Sequence, residues 1–501
     1  MAKVLIVGAG VSGLSAGIYA RLCGHETVIC ERQAVAGGNL MGWKRGGYEI
    51  DNCIHWLTGT NRKSGGYKIW KELGALGGVK VHQAESLYTV EKNGKTLTLW
   101  QDVDRLERDM LALSPADGRE IKKLIRAIKL VQAISGCGQD KKGHARERTL
   151  FDFLAAPKLL RYHTLSTGEY AEKFRHSTIK SFITAVTEKP FSALAFIVTA
   201  ATFCSGNGGV PQGGSRAMAE RMVKRFEKLG GKLYLSREVV KIEHEGGMAS
   251  SAVFASGGRE PFDYVIITAD PTCIFGKVLD VPMPKEMERR YSDPKMIRFS
   301  SYHFAFSCPV DELTFQGDYI FDLGKEARKA LKTDRLILRE FSHEKEFAPA
   351  GKTVLQSLTF CKEKDCFAFI KLRKNKTAYE EKKRELAKKV EEEIIKKFPA
   401  LAGKLKLLDG WTSATYERYT GSETGSYMSF IFTPKQNPAP LSCGVKGLKN
   451  VFLATQWQQL PGGLPNAAKM GKRAVEALQR RERVLSLTGQ RKAQKKVSSY
   501  R

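Results

Sequence analysis

A chain of 501 residues, 42% hydrophobic and 27% charged, can bury a sizeable core and is not disordered as a whole. Lys and Arg outnumber Asp and Glu by 82 to 53, and the resulting charge of +29 speaks of surfaces and partners, not of fold. The best apolar run, Phe191–Cys204, is shorter than the roughly 20 residues that cross a bilayer and is broken by Ser192, Thr199 and Thr202, so it predicts a buried helix and not a membrane span.

Residues 3–8 (KVLIVG) form a short β-branched run that ends in glycine, as a buried parallel strand does. With Lys3 in front, the stretch imitates a signal peptide, but its glycine spacing is better explained below. Gly13–Leu22 reads as a helix and residues 26–31 as a second strand, giving strand, glycine turn, helix and strand in about 30 residues, the size of one βαβ unit. Residues 104–133 predict a helix in two pieces, broken near Ser114-Pro115, and 150–204 read as mainly helical and apolar. An amphipathic helix over 215–229 is stopped by Gly230-Gly231. Strands follow at 232–236, 239–243, 251–255 and 263–268, and the pattern from 296 to 360 is mostly strand-like. A charged helix over 378–398 carries Leu386, Val390 and Ile394 on one stripe. Residues 448–454 predict a strand and 465–479 a last helix, while the basic stretch 480–501 is expected to be disordered.

Ten scattered cysteines without CxxC spacing suggest the reduced thiols of a cytoplasmic protein. The nine histidines never fall into a metal-binding spacing, so no metal is expected. No nucleic-acid module accompanies the positive charge; it is either a solvated basic surface or one that rests on an anionic membrane.

Gly8-x-Gly10-x-x-Gly13 follows the first strand and opens the first helix. Gly8 permits the tight turn, Gly10 lets backbone approach a pyrophosphate, and Gly13 lets helix and strand pack closely. The helix start then meets phosphates with free N–H groups and the positive end of its dipole. Glu31 ends the second strand 18 residues after Gly13, where a carboxylate accepts hydrogen bonds from ribose hydroxyls and repels a 2′-phosphate. These residues predict dinucleotide binding.

Beyond the fingerprint, GAGVSGLSAG…ERQAVAGG resembles the FAD motif of glutathione-reductase-type flavoproteins, in which Glu31-Arg32 and the pair Gly37-Gly38 stand beside the cofactor. Asn39 occupies the position after the pair that is usually basic in that family. Four further blocks occur in the order found in phytoene desaturases and retinol saturase. These are GGYEIDNCIHWLTG (46–59), the P-x-GG-helix-GG-strand segment 211–242, FDYVIITAD (262–270) and VFLATQWQQLPGGLPNAAKMGKRAVEAL (451–478). The resemblance implies non-covalent FAD, with the backbone of Val239 against the adenine and Gly462, Gly463, Leu464 and Pro465 at the flavin. A helix starting at Pro465 would then present its positive end to the ring edge where reduction places negative charge.

The implied fold is α/β: a discontinuous Rossmann-like FAD domain (1–80, 205–285 and 435–480) intertwined with an α+β substrate domain (81–204 and 286–434) that contains a mixed sheet. The implied function is hydride exchange between flavin N5 and a long apolar polyene or related lipid, by desaturation, saturation or isomerisation. His55, beside Trp56, is the first candidate for a catalytic residue near flavin or substrate, and is otherwise a satisfied core histidine. Trp457, with Gln456 and Gln458, precedes the flavin glycines, and Tyr416–Tyr419 form a second group. No second GxGxxG marks a nicotinamide domain, which leaves oxygen, a quinone or an external reductase as electron partner. A flavin amine oxidase and a non-catalytic FAD-containing assembly protein are the alternatives.

Overall fold

The computed structural model describes residues 1–136, 157–185 and 187–498, with the side chains of residue 136 and of 485–498 outside the description. Lys3–Val7 is a strand whose last four residues are buried, as expected of a β-branched run covered on both faces. It pairs in parallel with Glu26–Cys30 on one side and Tyr264–Ile267 on the other. Lys232–Tyr234 and Val451–Leu453 complete a five-stranded parallel sheet at its two edges. Chain segments more than 180 residues apart therefore meet in one sheet.

The helix Val11–Leu22 covers this sheet and packs on the closing helix, Leu464–Ser498. Ser15 Oγ donates to the Ala468 carbonyl at 2.7 Å, so the two helices touch almost backbone to backbone. The closing helix runs beyond the 465–479 expected, and the basic stretch thought to be disordered is helical through Ser498. Its Arg, Lys, Gln and Ala residues are good helix formers, and a single Gly489 in the middle does not stop them.

A second, mixed sheet has seven strands in the order Lys406–Trp411, Ser300–Pro309, Lys352–Cys361, Arg335–Glu340, Asp318–Asp322, Ser86–Lys92 and Lys95–Trp100. Its neighbours are antiparallel except Asp318–Asp322 and Ser86–Lys92, which run parallel. The charged helix Lys376–Lys397 lays Leu386, Val390 and Ile394 into the core on one face of this sheet. The other face looks toward Ala193–Cys204, a buried helix that Ser192 caps by accepting from Leu194 N–H at 3.3 Å. The expected break near Ser114-Pro115 is a single 3₁₀ turn, Pro115–Asp117, between helices Val103–Leu113 and Gly118–Gly136. Of the helical stretch expected over 150–204, residues 150–156 and 186 lie outside the described residues.

Candidate functional site

A cavity of about 670 Å³ runs from the glycine turn of the parallel sheet to the face of the mixed sheet. At the first end, a Cβ on Gly13 would overlap the carbonyl oxygen of Gly8, so helix and strand close only around a glycine. Gly13 accordingly lies behind the wall, while Gly8 and Gly10 line it. The helix begins at Gly10 without any side-chain cap, which leaves its first N–H groups without a side-chain acceptor next to the cavity-lining Val11 and Ser12. Gly37 N–H donates to the Ala9 carbonyl at 2.9 Å, and a Cβ on Gly38 would come within 3.2 Å of Gly10 Cα. Two stretches of bare backbone thus face one another across this end.

Glu31 sits buried at the end of its strand, its two oxygens accepting from Ala9 N–H at 2.7 Å and Gln33 N–H at 2.9 Å. Burial raises its carboxyl above the usual range, and those two N–H groups act against the rise. Each oxygen keeps a lone pair for a further donor. Arg32 also lines the cavity, with its guanidinium donating to the Arg418 carbonyl at 2.8 Å. Val239 lines the same end, where the strand Val239–Glu245 begins.

At the second end Gly462, Gly463, Leu464 and Pro465 line the wall where the closing helix starts. Gly463 N–H donates to Gln456 Oε1 at 3.0 Å, which fixes this turn. Trp457 lines the cavity as well, but its ring is wedged between Tyr291 and Phe430, with centroids 5.5 and 5.2 Å away. Gln458 is fully buried and accepts from Thr455 N–H, so it shapes the turn and does not reach the cavity.

Beyond this turn the mixed sheet forms the wall. Strand register places His303, Leu358, Ile337 and Ile320 in one row across four strands, with Asp318, Arg339 and Gln356 in the next row. Ser301, His303, Asp318, Ile337, Leu358 and Phe360 line the cavity from this face, opposite Phe191, Ala195 and Val198. Asp318 and Arg339 form a buried two-bond ion pair, and Arg339 Nη1 also donates to the Ile54 carbonyl at 3.2 Å. Burial pushes the Asp318 carboxyl upward, but Arg339 and His55 outweigh it and hold the group below the usual carboxylate range.

His55 lines the cavity between these elements, with Nδ1 3.8 Å from Asp318 Oδ2 and its ring edge-on to Trp56. The backbone just before it is tied down by Asp51, whose carboxylate accepts from Cys53 and Ile54 N–H and from both N–H and Oγ of Ser215. Burial, with Arg339 adding to it, lowers the His55 imidazole below its ordinary value. His303 is held much lower, by burial and then by His55. Its Nε2 lies 2.7 Å from Ser301 Oγ and 3.2 Å from the Tyr416 hydroxyl, which itself donates to Asn52 Oδ1 at 2.9 Å. Tyr416 is thus part of this network, whereas Arg418 stands apart from it: its carbonyl accepts from Arg32 and Gln33, and its guanidinium lies over the Tyr419 ring.

Asp318, Ser301, His303 and Asn52 did not stand out from the sequence. The one local signal is in SSYHFAF, where Ser301 and His303 put polar groups at period two into an otherwise apolar strand. Asp318 carries no signal of its own, because only strand pairing brings it to Arg339 and His55.

The donors and acceptors at the two ends fit FAD: opposed bare backbone, two helix starts for anionic groups, and an acceptor carboxylate at the strand end. Known proteins agree with that fit. The phytoene desaturase (lycopene-forming) of Paracoccus sp. is 24% identical over 298 residues, covering 53% of this chain and 54% of its own. The inactive all-trans-retinol 13,14-reductase of Danio rerio is 23% identical over 260 residues, covering 48% and 42%. The chain spans about half the length of the curated relatives it matches. Among solved structures, an oxidoreductase from Methanosarcina mazei superposes with a TM-score of 0.60 at 15% identity, covering 95% of this chain and 100% of that one. The family described as flavin containing amine oxidoreductase matches residues 11–479, nearly the whole path from the first helix through the closing one. With a cavity that suits the cofactor and a match of that extent, the chain belongs to this family of FAD-dependent oxidoreductases.

Proposed function

We propose that the chain exchanges hydride with a long apolar polyene or related lipid, desaturating, saturating or isomerising it. The observation that carries this reading is the wall beyond the flavin turn. Trp56, Phe191, Val198, Ile337, Leu358 and Phe360 give it an apolar surface. The carboxylates that line the cavity offer no site for an ammonium there. Glu31 is at the nucleotide end, Glu238 is exposed beside Val239, Asp270 accepts from Thr272 N–H and the Tyr291 hydroxyl, and Asp318 is held by Arg339. The phytoene desaturase likeness points the same way.

In this reading Gly8, Gly10, Gly37 and Gly38 let backbone approach the pyrophosphate, Glu31 accepts from the ribose and Val239 faces the adenine. Gly462, Gly463, Leu464 and Pro465 border the flavin, and the helix behind them favours negative charge on it. Bound FAD supplies hydride exchange at N5. The apolar wall orients the alkene and excludes water, while His55 and Trp457 are the residues assigned beside the reacting carbons. The electron partner is oxygen, a quinone or an external reductase. Because the substrate is lipophilic and the chain strongly basic, we also assign it a peripheral position on anionic membranes. No described helix is long and apolar enough to cross one.

Anaerobic mixing of the yellow protein with phytoene and related polyenes tests the reading. Bleaching of the flavin supports desaturation, and recovery of colour when reduced protein meets an alkene supports saturation. Bleaching by amines, with hydrogen peroxide released in air, would make the chain an amine oxidase. A flavin that no substrate reduces would leave a non-catalytic FAD protein.

A further inference from the structure

The polar side chains that the mixed sheet puts into the cavity, Ser301, His303 and Asp318, are satisfied within the protein, whereas the unpartnered Gln356 Nε2 and Thr359 Oγ1 belong to residues outside its lining. Asp318 and Arg339 hold each other through two bonds of 2.6 Å. Ser301, His303, Tyr416, Asn52 and Trp411 form a closed chain of hydrogen bonds, in which Trp411 Nε1 donates to the Tyr416 hydroxyl at 3.2 Å. His55 is different. Its Nδ1 faces the Asp318 carboxylate at 3.8 Å, and among the described residues no group bonds its Nε2. The ring lines the cavity, next to Trp56 and the apolar Ile337 and Leu358.

The carboxylate beside Nδ1 favours the tautomer with its proton there, which leaves a lone pair on Nε2. Such a nitrogen accepts a hydrogen bond and donates none. The groups that face it are Asp318, Arg339, Asp51 and His303. With Asp318 paired to Arg339, the surroundings provide no unpaired negative charge to hold the ring protonated. A ligand ammonium would bring a second cation beside Arg339, whose carboxylate partner is already taken. A ligand carboxylate would meet a lone pair with no proton to share and the Asp318 charge behind it. A hydrocarbon would leave a desolvated nitrogen without a partner, which is costly. A neutral O–H is the group that satisfies the site.

We infer that His55 Nε2 accepts a hydrogen bond from a single hydroxyl at the head of an otherwise apolar ligand. This rests on the lipid reading above, which it narrows to a long-chain alcohol. The imidazole, positioned by Asp318, is then a specificity-determining group.

Equilibrium dialysis of the FAD-loaded full chain against four radiolabelled probes, dodecanol, dodecane, dodecylamine and dodecanoate, tests it without any redox step. Wild type is expected to retain dodecanol about tenfold more tightly than the other three, the discrimination of about one hydrogen bond. His55→Phe should abolish that preference with FAD still bound, and His55→Gln, whose amide oxygen accepts, should restore part of it. Equal retention of dodecanol and dodecane by wild type would overturn the inference. So would a preference that survives His55→Phe, or a flavin spectrum that moves in that variant while the preference stays, since the imidazole would then serve the cofactor. A dodecanol preference in a protein whose flavin no polyene bleaches would sink the redox reading and keep this one.

Discussion

Asp318 and Arg339 stand directly opposite one another on adjacent antiparallel strands, and their side chains close a buried fork whose two bonds are both 2.6 Å. Through Arg339 the fork reaches the Ile54 carbonyl, and through Asp318 it faces His55, so one ion pair joins the mixed sheet to the segment after Asp51. Removing one partner strands a buried charge. Arg339→Met is expected to cost about 3–5 kcal/mol in urea unfolding, while Asp318→Leu with Arg339→Met should recover most of it. A double variant as unstable as the single one would show that the fork contributes more than its own pairing.

Glu31→Ala should loosen FAD. The variant loses an acceptor at the ribose position and frees the Ala9 and Gln33 N–H groups that the carboxylate now holds. Flavin retention, read as the ratio of absorbance at flavin and protein bands after gel filtration, should drop about tenfold or more in affinity. Full occupancy in the variant would contradict the assignment of this end of the cavity.

Gly13→Ala should act on stability before it acts on the cofactor. Its Cβ would overlap Gly8 O, a backbone atom that cannot rotate away, so helix and strand must part. A loss of about 1–3 kcal/mol or more is expected, together with poorer FAD retention. Wild-type thermal stability in the apoprotein of this variant would remove the packing argument.

The stacked pair His82 and His343, 4.5 Å apart, predicts an acid limb in the stability profile. Burial, assisted by His82 and Arg339, pushes the His343 imidazole from its ordinary 6.5 down to about 4. The folded chain therefore keeps it neutral where the unfolded chain takes a proton, and its contribution is lost as pH falls below 6.5 toward 4. His343→Phe removes that dependence, so its melting temperature should gain on wild type steadily between pH 7 and about 4. A constant difference across that range would show that His343 does not titrate with unfolding.

The excess charge of +29 predicts cosedimentation with anionic vesicles that weakens as salt is added. Binding that is indifferent to lipid charge would count against a membrane role for the basic surface.

The meeting of the fingerprint glycines and Glu31 at one end of the cavity was legible in the sequence because the pattern is local. Gly8, Gly10, Gly13 and Glu31 lie within one strand–helix–strand unit, and their spacing alone carries the geometric requirement. The closing turn was legible through its resemblance to a family motif, although Trp457 is more deeply packed than its position suggested. The mixed-sheet wall was not legible. His303, Asp318, Arg339 and Tyr416 lie up to 113 positions apart, and their meeting depends on strand order and register that no single stretch encodes. His55 stood out by its neighbours, yet what makes it distinct is a carboxylate 263 positions away. The length of the closing helix was missed for a different reason: charge density was read as solvation, when the same residues favour helix.

The parallel sheet places Val451–Leu453 beside Tyr264–Ile267, and the helix that follows seats Ala468 against Ser15 of the glycine-turn helix. During synthesis the glycine turn leaves the ribosome some 450 residues before these last pieces exist. Until they arrive, the end of the pocket proposed for the flavin has no floor. With the flavin placed as proposed, loading of the vitamin-derived cofactor has to wait for the segment from residue 451 onward, and a nascent chain stalled short of it should leave the cell's flavin pool untouched.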